Sequence, residues 1–487
     1  MSEEFDLIIK NARVARPRLD HVDTVDIAVK DGKFARIAAG LPPADARHVV
    51  DAGGLLAFPG VVDSHMHIGI YAPLAEDALS ESRAAAMGGV TTSINYMRTG
   101  KYYLNKSGPY RDFYPEVLEA SKGRFFVDYA YHLAPILPQH IDEIELLIQE
   151  FGVPSFKIFM FYGSHGLHGR SDDQEHFLML AKEDRYDFAH FEFIMRAVRR
   201  AMDRFPEFAE QISLSLHCET AEIMRAYTNI VSARGELKGL NAYHASRPPH
   251  SEGLAIFIAS YLADETACSN INLLHLSSRK AVEAALKMSE VFPHIDFRRE
   301  VTIGHLMLDT DAARGCYAKV NPPIRPREDV EYLWSMLLDK KIDWVVSDHA
   351  CCKEEIKVDK RDPEDIFLAK SGFGGTEYLL PALASEGKRR GLSYNHIAEL
   401  TSYNPARRYG LNHKGDIAPG FDADLALVDP NSTWTVRSES SESGQGYTPF
   451  EGTELHARVK YTFLRGNMIY DGNILGQPLG QYLHRPC

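Results

Sequence analysis

Hydrophobic positions along the chain fall into three textures. Between residues 5 and 57 short apolar runs alternate with polar positions: Leu7-Ile8-Ile9, Asp26-Ile27-Ala28-Val29 and, after an Asp31-Gly32 turn, Phe34-Ala35-Arg36-Ile37-Ala38. Period-two alternation and an Asp-Gly pair predict hairpin structure. From Phe58 the runs become apolar bursts separated by helix-length stretches, at 61–62, 90–94, 125–131, 155–159, 213–217, 271–275, 301–303 and 344–347. About eight β-then-α units predict a parallel sheet closed into a (β/α)8 TIM-like barrel. Turn-and-strand texture returns at Gly415-Asp416-Ile417-Ala418-Pro419-Gly420 and continues through 425–428, 459–464 and 468–470.

Each flank is too small to bury a sheet face alone. The two are therefore expected to pair into one small β-sandwich domain, 1–57 with 416–475, around a barrel of 58–415, leaving a tail of 476–487. Residues 165–190, rich in His, Asp, Glu and aromatics, read as a long loop after a strand.

Composition narrows the class. With 487 residues, 45% hydrophobic and 25% charged, the chain is a soluble globular type. Its 54 basic against 67 acidic side chains give a net charge of −13 without long blocks of either sign, which argues against nucleic acid or a membrane as partner. Arg196, Arg199, Arg200 and Arg204 stand at helical spacing and read as a solvated helix face. The six cysteines show no CxxC spacing, so free thiols in a reducing compartment are the simpler account. The first residues lack the pattern of a signal peptide and no run reaches membrane-spanning length, which predicts a cytoplasmic protein.

The candidate chemistry sits where the bursts end. In Val61-Val62-Asp63-Ser64-His65-Met66-His67 strand alternation sends Asp63, His65 and His67 to one face. Two imidazoles so placed reach one cation from one side, and imidazole nitrogen suits zinc and its first-row neighbours. Lys157, His217, His275 and Asp348 each leave a later burst directly. Barrel active sites lie at those C-terminal strand ends. Singly, His217 and His275 also read as hydrogen-bonded core histidines, and a Lys157 ammonium would repel a cation. Six such residues at successive strand ends are not independent accidents.

Five segments then carry a resemblance in order: Pro59-Gly60-Val61-Val62-Asp63-Ser64-His65-Met66-His67, Phe156-Lys157-Ile158-Phe159-Met160-Phe161-Tyr162, His275-Leu276-Ser277-Ser278, Asn321-Pro322-Pro323-Ile324-Arg325-Pro326 and Ser347-Asp348-His349. They resemble the signatures of the amidohydrolase superfamily. More narrowly they resemble its hydantoinase/dihydropyrimidinase branch, with allantoinases and dihydroorotases close by. The segment from Gly415 to Leu425 is similar to that family's C-terminal β-segment.

The resemblance implies a pair of divalent metal ions, usually zinc, with manganese, cobalt or iron as alternatives. His65 and His67 would hold the more buried ion, with Asp348, and His217 and His275 the more exposed one. Lys157, carboxylated by carbon dioxide, would bridge both; a carbamate has two anionic oxygens, which answers the objection to a bare lysine. The implied reaction is hydrolysis of a ring C–N bond in a hydantoin, dihydropyrimidine or related ureide or imide by a metal-bridging hydroxide. Asp348 would act as general base and then acid, and Tyr162 would steady the oxyanion. Asn321 and Ser371 stand where the family presents backbone groups to the ring. A homotetramer or homodimer is implied as well.

Some positions depart from the pattern. Ser215-Leu216-His217-Cys218-Glu219 replaces a commoner His-Ala-Glu, and Thr302-Ile303-Gly304-His305-Leu306 replaces a Cys-Pro-Gln-His-like segment. Tyr71, Tyr96, Tyr102, Tyr103, Phe161 and His165 follow the first strands and read as a binding mouth, as packing or as a subunit contact. Arg98 reads as a surface ion pair, with a substrate carboxylate as the alternative, and Cys351 and Cys352 as inert loop thiols. Alternative activities are an allantoinase or dihydroorotase type and a linear amide hydrolase. A non-catalytic dihydropyrimidinase-related scaffold is the contrasting class, but it gives no physical reason to retain all six ligand positions.

Overall fold

The structure is a computed structural model and describes residues 4–162, 186–313 and 315–487. The N-terminal flank forms β1 (Phe5–Val14), β2 (Asp23–Lys30), β3 (Lys33–Ala38), β4 (Ala46–Asp51) and β5 (Leu56–Pro59). The barrel strands are β6 (Val61–Met66), β7 (Val90–Met97), β8 (Asp128–Leu133), β9 (Ser155–Phe159), β10 (Ser213–His217), β11 (Asn270–Leu273), β12 (Asp296–Thr302) and β13 (Trp344–Val346). The C-terminal flank adds β14 (Leu425–Asp429), β15 (Trp434–Thr435), β16 (Glu454–Leu455), β17 (Arg458–Leu464) and β18 (Asn467–Tyr470).

Strands β6 to β13 pair in sequence order, each parallel to the next. A parallel bridge between Met66 and His349 closes the ring, and the His67 amide donates to the His349 carbonyl at 2.7 Å. Every residue of β6 is buried, as are all of β7 to β11. Such strands are covered on both faces, which is why they read as apolar bursts rather than as alternation.

The flanks meet in one mixed sheet of order β18-β17-β14-β5-β1-β2-β3, with β4 also on β1. Leu7, Ile9, Val14, Ile27 and Val29 from one end of the chain share a core with Leu425, Leu427 and Phe463 from the other. Neither end covers that core by itself; the fold is a TIM-type barrel with a β-sandwich domain built from both ends. Its junction with the barrel is tight. The Gly60 amide donates to the Asp424 carbonyl at 2.8 Å, and a Cβ on Gly60 would lie 2.1 Å from Thr91 Oγ1. The last residues run back across the barrel: Arg485 is buried and donates to Ser155 Oγ at 2.9 Å and to the Tyr131 carbonyl at 2.6 Å.

The burst edges differ from expectation in physical ways. Strand β12 starts at Asp296, because Arg298 and Arg299 pair with Asp343 along its lower half. It ends before Ile303, where Thr302 caps a short helix (Ile303–Met307) by accepting from the His305 amide. The expected 165–190 loop, with His165, lies mostly outside the described residues; its end, from Phe188, is already the helix Phe188–Arg204, capped by Asp187. On that helix Arg196 pairs with Glu192 and Arg199 with Asp203, both exposed. No helix among the described residues is long and apolar enough to cross a membrane.

Candidate metal centre

The six ligand-type residues converge at one end of the barrel. Alternation along β6 brings His65 and His67 to the same side, and Asp348 Oδ1 lies 3.0 Å from His65 Nε2 and 3.2 Å from His67 Nε2. Lys157, mid-strand in β9, places Nζ 2.5 Å from His65 Nε2 and 3.2 Å from His67 Nε2. The His217 and His275 rings are 4.3 Å apart, and the His275 ring is 5.4 Å from His65. One donor atom from each of His65, His275 and Asp348 falls within 4.8 Å of the others.

Two of these residues hold unusual backbones. His275 has φ 34° and Asp348 φ 53°, left-handed values that a side chain with a Cβ seldom adopts. Such conformations cost about 1–3 kcal/mol each and gather at functional sites. Here both turn a strand end so that the side chain faces the barrel mouth.

Electrostatics keep most of the imidazoles neutral. Burial drives His67 down to about 3 and His217 down to about 4, in the latter case against the pull of Glu219. Burial also holds His275 well below its usual value. His65 differs: burial and Lys157 pull it down, but Asp348 and Glu300 outweigh them and lift it to about 9. Burial would raise the Asp348 carboxyl, yet the His65 and His67 imidazoles hold it well below the usual carboxylate range. Lys157 is lowered to about 8 by burial, opposed by Asp348 and Glu300.

Whether metal fits is decided by unsatisfied atoms. His217 Nδ1 and His275 Nδ1 are buried and have no hydrogen-bond partner among the described residues. A buried nitrogen without a partner is costly unless something else binds it. His217 Nε2 is engaged by Glu219 at 2.6 Å and His65 Nδ1 by Glu300 at 2.7 Å. This is the outer carboxylate support that fixes the tautomer of a metal-binding imidazole. Four imidazoles, a carboxylate and a modifiable lysine make a nitrogen–oxygen set suited to zinc and its neighbours. The residues fit the group.

Above them opens a cleft lined by His67, Tyr71, Tyr96, Tyr103, Tyr162, Asn321, Asp348 and Ser371 among others. Tyr162, Asn321 and Ser371 thus line the same cleft as His67, His275 and Asp348. The Tyr71 hydroxyl donates to the Ser371 carbonyl at 2.6 Å, and Tyr103 hydrogen-bonds His67 Nδ1 at 3.0 Å. Tyr102 packs edge-on to Tyr71, and Phe161 to His217. Arg98 is not a surface ion pair. It is buried, 5.6 Å from the Tyr103 ring centre and 5.8 Å from that of Tyr162, because the loop after β7 folds into the mouth.

Sequence reasoning missed Glu300. It is fully buried and accepts from His65 Nδ1, from the His275 amide at 3.1 Å and from Trp344 Nε1 at 2.9 Å. The available signal was a carboxylate leading straight into the Val301 burst, masked by two preceding arginines. A second group of possible donors, Asp77, Glu81 and Cys351, also lies within 4.8 Å. Glu81 there already accepts from Ser80, His349, Ser443 and the Gly444 amide, so the cluster is a hydrogen-bond network that fixes His349. Burial pushes the Cys351 thiol up and Cys352 up to about 11, which leaves both unreactive.

A profile of the amidohydrolase family matches residues 56–469, and the chain belongs to that family, in its cyclic amidohydrolase branch. An allantoinase of Rubrobacter xylanophilus is 32% identical over 486 residues, covering 98% of this chain and 97% of its own. An allantoinase of Escherichia coli O1:K1 / APEC is 33% identical, covering 96% and 95%. The solved L-hydantoinase (dihydropyrimidinase) from Arthrobacter aurescens superposes with a TM-score of 0.83 at 28% identity, over 98% of this chain and 99% of that one. The family generally binds a binuclear metal centre with a carboxylated lysine.

Proposed function

We propose that the protein hydrolyses the ring amide bond of a cyclic ureide, with allantoin as the first substrate to test. The observation that carries the reading is the convergence of His65, His67, Lys157, His217, His275 and Asp348, with His217 Nδ1 and His275 Nδ1 left for a cation. His65, His67 and Asp348 would hold one ion, His217 and His275 the other, and a Lys157 carbamate both. Zinc is the first candidate, with manganese, cobalt or iron as alternatives. Bound there, two divalent ions would acidify a water and polarise the ring carbonyl.

The chain's own groups do the rest. The Lys157 amine, lowered to about 8, has an appreciable unprotonated fraction near neutral pH, and only that form adds carbon dioxide, releasing a proton. Asp348, held ionised, takes a proton from the attacking water and delivers it to the ring nitrogen as the C–N bond breaks. The water oxygen ends in the new carboxylate. Burial keeps the Tyr162 phenol protonated, up to about 12 despite Arg98, so it remains a donor to the developing oxyanion. Asn321 and Ser371 line the side of the cleft where the ring would lie.

The full-length likeness to allantoinases favours allantoin, and a rim of phenols and a carboxamide suits a polar ureido substituent. A hydantoin or dihydropyrimidine ring is the second reading, favoured by the likeness to L-hydantoinase. Metal-replete protein assayed on allantoin, hydantoin, dihydrouracil and dihydroorotate tests both; turnover of none of them overturns the proposal. A cytoplasmic homotetramer or homodimer completes it. Leu254, Phe257 and Tyr261 form an exposed apolar stripe on the helix Pro249–Glu265 that supports self-association, and sedimentation measures it.

A further inference from the structure

One buried arginine touches the supports of both halves of this site. Arg247 follows the helix Gly239–Ser246 and is 1% exposed. Its Nε donates to Glu219 Oε1 at 2.9 Å and its Nη2 to Glu219 Oε2. Glu219 in turn engages His217 Nε2. A carboxylate can only accept there, so the imidazole proton sits on Nε2 and the Nδ1 lone pair faces the ligand cluster. On its other side Arg247 donates from Nη1 to the Tyr243 hydroxyl at 3.2 Å, and Tyr243 donates to Asn321 Oδ1. Ser371 Oγ reaches the same Asn321 oxygen at 3.4 Å. The guanidinium lies over the Phe161 ring at 5.0 Å and the Tyr243 ring at 5.6 Å, which fixes its plane.

The donor direction is fixed in both arms: Glu219 accepts from Arg247 and from His217, and on the other side protons point from Arg247 to Tyr243 to Asn321. A guanidinium has no acceptor, so Tyr243 must accept from it and give its own proton onward to the Asn321 amide oxygen. Glu219, Arg247 and Tyr243 are all essentially inaccessible to water, and none of them lines the cleft.

We propose that Arg247 is a two-armed positioning residue: one arm, through Glu219, sets the tautomer and orientation of His217 for metal, and the other, through Tyr243, seats Asn321 in the wall of the substrate cleft. The second arm rests on the cyclic-amide reading; the first does not. A planar fork is required, because a lysine cannot serve a bidentate carboxylate and a phenol at once.

Three full-length variants test this with two readouts: zinc affinity by competition with a chelating dye, and KM and kcat on whichever cyclic amide the wild type turns over. Glu219→Gln weakens zinc by about 10–100-fold, the usual range for an outer partner of a metal-binding histidine, and leaves KM within twofold once zinc is saturating. Tyr243→Phe leaves zinc affinity within twofold and raises KM roughly 3–10-fold, as for one lost hydrogen bond. Arg247→Lys shows both losses. A merely structural role would lower the melting temperature of all three without separating the readouts. Joint movement of zinc affinity and KM in Glu219→Gln or Tyr243→Phe, or no movement in either, overturns the proposal. If Arg247→Lys does not fold, those two variants decide. If the wild type turns over no cyclic amide, the cyclic-amide reading has failed, and the zinc measurements decide on their own: losses in Glu219→Gln and Arg247→Lys but not Tyr243→Phe support the metal arm, and any other pattern overturns it.

Discussion

Replacing Glu300 by glutamine tests how far the site depends on a residue that touches no substrate. The carboxylate serves three donors with two oxygens: Oε1 takes His65 Nδ1 and the His275 amide, and Oε2 takes Trp344 Nε1. Glutamine has one acceptor oxygen. With it turned toward His65, its NH2 faces the indole N–H and one buried donor is orphaned, at about 1–3 kcal/mol. Turned the other way it orphans two donors, so the first orientation wins. The bond kept to His65 also loses its charge assistance, and neutral bonds are about half as strong. Apo-protein stability should fall by about 2–4 kcal/mol. Zinc affinity should fall by about 10–100-fold at a pH where protons do not compete.

Protons do compete below that pH. His65, lifted to about 9, must lose its proton to bind a cation. At pH 7 this costs the wild type a factor on the order of 100. Glu300 is one of the groups that hold His65 up, so the variant's imidazole titrates lower and meets less competition. The sign follows: wild-type zinc affinity climbs with pH until about 9, the variant climbs less, and the gap between them widens from pH 7 to pH 9.5. Urea unfolding of the metal-free proteins and dye competition across that range supply the measurements. Equal pH slopes for the two proteins, or equal zinc affinity at pH 9.5, would refute the reasoning.

Other perturbations have equally direct outcomes. Lys157→Ala should lose both bound metal and turnover, read by metal analysis, and short carboxylic acids should restore part of the activity; retention of two ions would contradict a bridging lysine. Tyr162→Phe should lower kcat by about 10²–10³ with metal content unchanged, as for one oxyanion donor. Metal-free protein should reactivate with zinc faster at high pH, at fixed dissolved carbon dioxide. The unprotonated fraction of a Lys157 amine near 8 rises from roughly 3% at pH 6.5 to roughly 75% at pH 8.5. A pH-independent rate would count against carbamate formation. Gly60→Ala forces a Cβ to within 2.1 Å of Thr91 Oγ1 and 2.9 Å of Asp424 Cβ, and should destabilise the domain junction by about 1–3 kcal/mol in thermal unfolding.

What the sequence disclosed and what it hid divide along a physical line. His65 and His67 were legible because a strand has period two, and any strand would carry them to one face. Strands β9 and β10 were read with the ends the structure gives, although Lys157 and Ser215 stand inside them. Most partners of the candidate ligands were hidden; Glu219, two positions after His217, is the exception. Glu300 lies 235 residues from His65, Arg247 28 residues from Glu219, and Tyr243 78 from Asn321, so no local period links them. Arg98 read as solvated because a lone arginine ordinarily is; only the fold of its loop buries it among tyrosines. The left-handed turns at His275 and Asp348 were equally silent: His and Asp are enriched at positive φ, but residue type does not say which of them adopts it. Candidate ligands are thus written in local sequence as residue type and spacing, whereas most of what orients them is supplied by residues that meet only when the barrel closes. A chain can therefore display all six candidate positions while Glu300 and Arg247, which meet them or their supports only in the folded barrel, are revealed by no spacing.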